Sequence, residues 1–298
     1  MTPMHPVTKD VIDRRTLLRA LLAAPLAART AVFAQTDGWT PLFNGKDLAL
    51  WETYLGKPYK HTEIAGLPKD ANGEYMEAIG LNRDPRGVFS VVEIDGGPAI
   101  RISGETFGGL ITRADYENYH LRFEFRWGGK RWAPREEVVR DSGCCYHSTG
   151  PLGASYGFWM RSFEFQIQEG DCGDFHSLAG VVVDAEAVVE DAANPKSNLL
   201  FTRGAPKIAG IARRIVKSSS VESPFGQWNT LDLYCVGQTS VHVVNGRTVM
   251  ILTGLRQKTE NGEAPLTRGK LQLQSEGAEV FYRRIALRPI REIPSLVV

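Results

Sequence analysis

The strongest constraint in this sequence is a period of two. His120-Leu121-Arg122-Phe123-Glu124-Phe125-Arg126-Trp127 alternates strictly, with Leu121, Phe123, Phe125 and Trp127 on one side and Arg122, Glu124 and Arg126 on the other. Successive side chains of a β-strand point to opposite faces, so this segment buries one face and leaves the other polar. Ser162–Gln168 repeats the pattern, with Phe163, Phe165 and Ile167 against Glu164, Gln166 and Gln168.

Further strands are predicted at 230–235, 270–274 and 280–287. Val241–Val244, Asn245-Gly246 and Arg247–Ile251 read as a β-hairpin, because Asn-Gly suits a tight turn. Long amphipathic helices are nearly absent; Ala185 to Ala193 is the one short helix predicted, ahead of Pro195. Residues 185–224, with Pro195, Pro206, Pro224 and Ser218-Ser219-Ser220, are the least patterned and read as a long excursion at one rim. Strands with one apolar face each bury it by stacking two sheets. The expected fold is all-β, a two-sheet jelly-roll sandwich forming one domain over 35–298.

The first 34 residues are set apart. Arg14-Arg15 enters an apolar stretch that ends at Val32-Phe33-Ala34, the order of a twin-arginine export signal cleaved after Ala34. Arg19 and Arg29 interrupt it well short of the ~18 apolar residues a membrane span needs. A periplasmic or otherwise exported protein is expected, with no membrane partner once the signal is removed. The formal charge of +1 divides accordingly: five basic and two acidic residues lie in the leader, leaving 30 basic and 32 acidic in the body. A body at −2 excludes a basic nucleic-acid binder. Cys144, Cys145, Cys172 and Cys235 could pair in three full ways after export or stay as free thiols, and no Cys-x-x-Cys suggests zinc.

The polar row Glu164, Gln166 and Gln168 offers donors and acceptors suited to sugar hydroxyls. Glu169 falls on the opposite face by simple alternation unless a β-bulge returns it. His147 could act as a base near neutral pH. Asp171, Asp174 and His176 could hold a divalent metal, or form an Asx-turn loop. Arg113 and Arg161 could grip hydroxyls or pair with carboxylates. Trp159 and Trp132, in Gly/Pro-rich surroundings, could stack on a sugar ring. Glu276 sits in a Ser-Glu-Gly turn.

A run of motifs then falls in order: Gly38-Trp39-Thr40-Pro41-Leu42-Phe43-Asn44-Gly45-Lys46-Asp47-Leu48 with Trp51; Gly109-Leu110-Ile111-Thr112-Arg113; and Asp141-Ser142-Gly143 with Tyr146-His147. Arg161–Gly170, Gly173-Asp174-Phe175, Gly226-Gln227-Trp228-Asn229, Val244-Asn245-Gly246 and Leu273-Gln274-Ser275-Glu276-Gly277 complete it. Across 38–291 the chain resembles the 3-keto-disaccharide hydrolase family. It departs from that pattern at Cys144-Cys145, where aliphatic residues are expected, and at His176, where an aromatic is expected. Gln166 also differs from the middle Asp of the Glu-x-Asp-x-x-Glu strand of sandwich-fold glucanases, which disfavours a direct glycosidase.

The resemblance implies a concanavalin A-like lectin/glucanase fold acting on a small oxidised sugar. The implied chemistry at a 3-keto-glycoside is C2 deprotonation by His147 or Glu164, then loss of the C1 substituent protonated by Glu169 or Glu276, then hydration. Gln166, Gln168 or Arg113 would hold the enolate oxygen; Arg161, Trp159, Asp174 and Glu276 join the substrate contacts. The competing expectation is a carbohydrate-binding sandwich without catalysis. No cofactor is required by this chemistry, and the sequence specifies no oligomeric state.

Overall fold

The chain's alternating segments extend as strands throughout the computed structural model, which describes Met1, residues 38–194 and residues 196–298. The leader expected over 1–34 lies, Met1 apart, outside the described residues. Residues Gln35–Val298 form one compact unit. In chain order the first strands are β1 (Thr40–Pro41), β2 (Trp51–Leu55), β3 (Gly80–Leu81), β4 (Phe89–Ile94), β5 (Gly97–Ile102), β6 (Gly108–Thr112) and β7 (Tyr119–Arg131). Next come β8 (Asp141–Thr149), β9 (Arg161–Gln168), β10 (Phe175–Leu178), β11 (Val181–Val189), β12 (Leu199–Phe201), β13 (Lys207–Ile211) and β14 (Ile215–Val216). The last are β15 (Asn229–Val236), β16 (Thr239–Val244), β17 (Arg247–Thr259), β18 (Gly262–Pro265), β19 (Lys270–Ser275) and β20 (Ala278–Pro289). The described residues contain no helix, and hence none long and apolar enough to cross a membrane.

Two antiparallel layers result. One runs β4–β5–β20–β7–β15–β16–β17, with β1 beside the far end of β20. The other runs β3–β2–β6–β19–β8–β9–β10–β14–β12, and its β12–β14 pair is parallel. β11 pairs with β12 and β13 and also with β17, so it ties the edges of both layers together. The expected all-β two-sheet sandwich is the observed architecture.

Alternation decides what lies between the layers. Phe123, Phe125, Leu231, Leu233 and Tyr282 of the first sheet meet Phe163, Phe165, Ile167, Leu271 and Leu273 of the second in one buried core. Fully burying side chains of this size stabilises by roughly 1.5–3 kcal/mol each, which fixes the register: a one-residue slip would turn Glu164 and Gln166 into the core. The short helix expected at 185–193 is not formed. Val181-Val182-Val183 favour extended backbone, and β11 satisfies its hydrogen-bonding groups with strands on either side through Val189. The excursion after it is short strands, β12 to β14. All four cysteines are free and buried.

Candidate functional site

The outer face of the second sheet is not open to solvent. Glu164 and Gln166 are only 4% and 5% exposed, because the 150–160 connection and Phe107 fold over the sheet and leave a cleft of about 400 Å³. Its walls are Phe107, Asp141, Tyr156, Phe158, Trp159, Glu164, Gln166, Gln168, His176, Ser177, Leu178, Gln274 and Glu276. Strand pairing brings these together: Asp141 lies opposite Gln168 and Cys145 opposite Glu164 across β8–β9, and His176 lies opposite Glu164 across β9–β10. Gly143 sits beneath the centre. A Cβ there would strike the Glu164 carboxylate and the Gln274 side-chain oxygen, so only glycine leaves room for both groups.

Three carboxyl groups, Asp141, Glu164 and Glu276, share this cleft with one arginine. Arg135 pairs with Asp141 at 2.7 Å and approaches Glu276 at 3.7 Å. Gln168 donates to Asp141 Oδ2 at 2.5 Å. Burial pushes the Glu164 carboxyl up to about 8, and the Asp141 charge adds to the rise, while a hydrogen bond from Gln274 opposes it. Burial also raises Asp141 to about 6, held back by Arg135 and Gln168. Glu276 is pushed well above the ordinary range by burial and by Asp141 and Glu164. Burial without a cation thus favours the protonated form of Glu164, while Arg135 and Gln168 favour the ionised form of Asp141. His176 is lowered to about 4 by burial and by Arg214, so its imidazole is neutral.

Gln166 contributes a donor. Its Oε1 accepts from Ile167 N at 3.0 Å, which leaves its amide nitrogen for the cleft. Trp159 spends its indole N–H on Gly108 O at 2.9 Å and presents its ring. Phe158 packs on Trp159 with centroids 5.6 Å apart, and Phe107 on Phe158 at 5.3 Å.

Glu164, Gln166, Gln168, Trp159 and Glu276 thus converge, and five other candidates do not. His147 is fully buried between the sheets, edge-on to Tyr119, Tyr146 and Phe163, with Nδ1 against Leu266 O at 3.2 Å. Its φ of 48° breaks the alternation of β8 and turns it inward; burial lowers it to about 4. Glu169 leaves β9 on the other side and pairs with Arg140 at 3.0 Å. Arg113 pairs with Glu52 at 2.9 Å and is largely exposed. Arg161 donates to Ala179 O and Gln257 Oε1. Asp174 is wholly buried against Arg214 and Lys217.

The last of these bears on the metal expectation. Asp171 and Asp174 face Arg214 and Lys217, so two cations already occupy the carboxylates, and His176 turns to the cleft. Among the described residues no group of three or more His, Cys, Asp or Glu is arranged to hold a metal ion. Trp132, the other tryptophan considered for stacking, donates to Ser103 O at 2.9 Å and is absent from the cleft lining.

The sequence matches the profile of the 3-keto-alpha-glucoside-1,2-lyase-like domain over residues 38–288. The chain belongs to that family. Membership makes it a carbohydrate-active domain. A comparison with curated protein sequences gives no match. Among solved structures, a candidate glycosyl hydrolase from Parabacteroides distasonis is 18% identical, covering 85% of this chain and 100% of its own, with a TM-score of 0.46. A carbohydrate-binding module from Bacillus subtilis is 10% identical over 67% of this chain and 91% of that one, with a TM-score of 0.38. A β-glucanase from Bacillus licheniformis is 11% identical over 86% and 100%, also with a TM-score of 0.38. Likenesses this distant carry no statement about activity.

For this lyase-like domain, sequence reasoning missed Asp141, Gln274, Tyr156 and Phe158 as cleft residues and Arg135 as the cation paired with the cleft carboxyls. Asp141 had a readable signal. It stands two and four places before Gly143 and Cys145, on the same face of a Gly-rich strand. Gln274 had one as well, alternating with Leu271 and Leu273. Arg135 had none: it comes from the irregular 132–138 connection and reaches the cleft only through tertiary packing over Gly277.

Proposed function

We propose that this protein cleaves the glycosidic bond of 3-keto-glycosides by removing the C2 proton, expelling the C1 substituent and hydrating the product. The observation that carries the reading is the unequal setting of two carboxyls in one buried cleft: Asp141 is paired with Arg135 at 2.7 Å, while Glu164 is 4% exposed, has no paired cation among the described residues, and is pushed up by burial. Elimination next to a ketone needs one base and one acid, and pairs with separated pKa values supply them.

The C3 ketone acidifies the C2 proton, which the Asp141 carboxylate takes. The electron pair forms the C2=C3 enolate, whose oxygen accepts from the Gln166 amide nitrogen. The enolate collapses to a C3 ketone and a C1=C2 double bond as the C1–O bond breaks. The leaving oxygen takes the Glu164 proton. Water then adds at C1 while the Glu164 carboxylate accepts its proton, and Asp141 returns a proton to C2. Both carboxyl groups end as they began, and the net change is hydrolysis. Arg135 holds Asp141 in its ionised form between turnovers.

Sugar binding without cleavage is favoured by one observation, the aromatic wall with Tyr156 79% exposed at its mouth. The two readings part on product analysis. Incubation with a 3-keto-disaccharide and with its unoxidised parent should release sugar from the oxidised compound alone. Binding of both with no release would replace catalysis with binding. Cleavage of the unoxidised parent would point to a direct glycosidase. Export through the Arg14-Arg15 leader belongs to the same proposal and is checked by fractionating cells that express the full chain.

A further inference from the structure

The cleft is divided by chemistry. One end holds Asp141, Gln168 and Glu276. The other is a wall of Phe107, Tyr156, Phe158 and Trp159. The wall begins beside the proposed acid: Cys145, the register partner of Glu164, packs in one cluster with Trp159, Phe158 and Phe107. A sugar whose C2 lies at Asp141 and whose leaving oxygen lies at Glu164 therefore directs its aglycone along the aromatic wall.

We propose that this wall is a leaving-group subsite for an aromatic alcohol. The inference rests on the reading given under Proposed function. Three observations support it. The wall offers a single polar group, the Tyr156 hydroxyl at its mouth, because Phe107 and Phe158 have none and the Trp159 indole N–H is spent on Gly108 O. A pyranose leaving group would bring several hydroxyls there, and each left unpaired costs binding energy. A phenol brings only the oxygen that Glu164 protonates. Tyr156 is also held with φ of 54°, in the left-handed region that residues with a Cβ rarely occupy. The turn around it is locked by Gly157 N to Gly153 O at 3.0 Å and Ser155 N to Trp159 O at 2.8 Å. A large ring is thereby kept 79% exposed at the mouth, edge-on to Trp159 at 6.2 Å. Strain maintained to expose an apolar ring is a feature of ligand clamps, and a flat aglycone would cover it. In the cleavage itself the C1–O bond breaks and the phenolic oxygen takes the Glu164 proton, so no further reactant is needed.

The test compares phenyl 3-keto-glucoside with a 3-keto-disaccharide in the wild type and in Tyr156→Asn. Asparagine tolerates the left-handed backbone, so the change removes the ring and keeps the turn. A phenol leaves more easily than a sugar in any enzyme, so the readout is the ratio of ratios of kcat/KM. The phenyl substrate should lose about five- to tenfold, the size of one aromatic contact, and the disaccharide less than about twofold. Equal losses, or a larger loss for the disaccharide, would overturn the subsite. If the wild type turns over neither substrate, the catalytic reading fails, and the subsite is then decided by calorimetry with phenyl and methyl glucoside. Tighter phenyl binding that Tyr156→Asn removes supports it; equal affinity of the wild type for both ligands ends it.

Discussion

Two acidic clusters border strand β9, and their charges are handled in opposite ways. Past its end, Asp171 and Asp174 face Arg214 and Lys217, two carboxylates with two cations. Asp174 is fully buried, yet it accepts from Arg214 Nε at 2.7 Å and from the Lys217 backbone N–H at 2.9 Å. That cluster is electrostatically closed and clamps the excursion onto the turn after β9. Along the strand's outer face, Asp141, Glu164 and Glu276 have Arg135 between them. Three buried carboxyls with one cation cannot all ionise, so protons stay in the cleft. Similar residues give a fastener in one place and an acid–base pair in the other, and the number of cations decides which.

The comparison is broken most directly by neutralising one member of each cluster. Glu164→Gln should lower kcat on a 3-keto-glycoside by about 100-fold or more, the usual worth of a positioned acid, while the fold survives. Asp174→Asn should do the reverse. It removes the fully buried carboxylate and leaves Arg214 and Lys217 only the half-buried Asp171, so it should cost about 3 kcal/mol of stability, with kcat of the folded protein changed less than about threefold. Denaturant titration gives a further check. Glu164 keeps its proton in the folded state up to about pH 8, whereas the unfolded chain releases it near pH 4.5. The folded state thus binds more protons between those values, and its stability falls as pH rises through that window. Glu164→Gln should flatten this slope. A variant that keeps the slope and the activity would sink the assignment.

A smaller effect is expected at the cation. Activity that needs ionised Asp141 and protonated Glu164 should follow a bell between about pH 6 and pH 8. Arg135→Met removes the charge that holds Asp141 down, so the acid limb should move up by about one unit, with roughly fivefold less activity at pH 6. Arg135→Lys should restore much of the limb. A loss of activity spread evenly over all pH values would make Arg135 a packing residue instead.

How far the sequence revealed this site follows from the range of the forces involved. Period-two alternation is local, so it placed Phe163, Phe165 and Ile167 inward and Glu164, Gln166 and Gln168 on the opposite face. It also separated the two faces of β7. The cleft, however, depends on register between distant strands. Asp141 meets Gln168 across β8–β9, and Gln274 arrives from β19 more than a hundred residues later. The Asp171–Asp174 spacing suggested metal ligands because the cations that neutralise it, Arg214 and Lys217, come some forty residues on. The predicted helix at 185–193 failed for a related reason: partners on both sides of β11 outweigh the local helical preference of its alanines.

His147 gives the finest test, because a single dihedral separates its two readings. Strict alternation from Cys145 would put its imidazole on the face that carries Glu164; the φ of 48° turns it into the core instead. There Nδ1 meets Leu266 O and Nε2 has no partner. A catalytic base would set the acid limb of the pH profile, whereas a buried neutral imidazole contributes only packing and one hydrogen bond. His147→Asn keeps a residue that tolerates left-handed backbone while removing most of the ring's contacts. It should cost about 1–2 kcal/mol of stability and leave both limbs of the pH–rate profile where they were. A displaced acid limb in this variant would return His147 to the chemistry and remove Asp141 from the role of base.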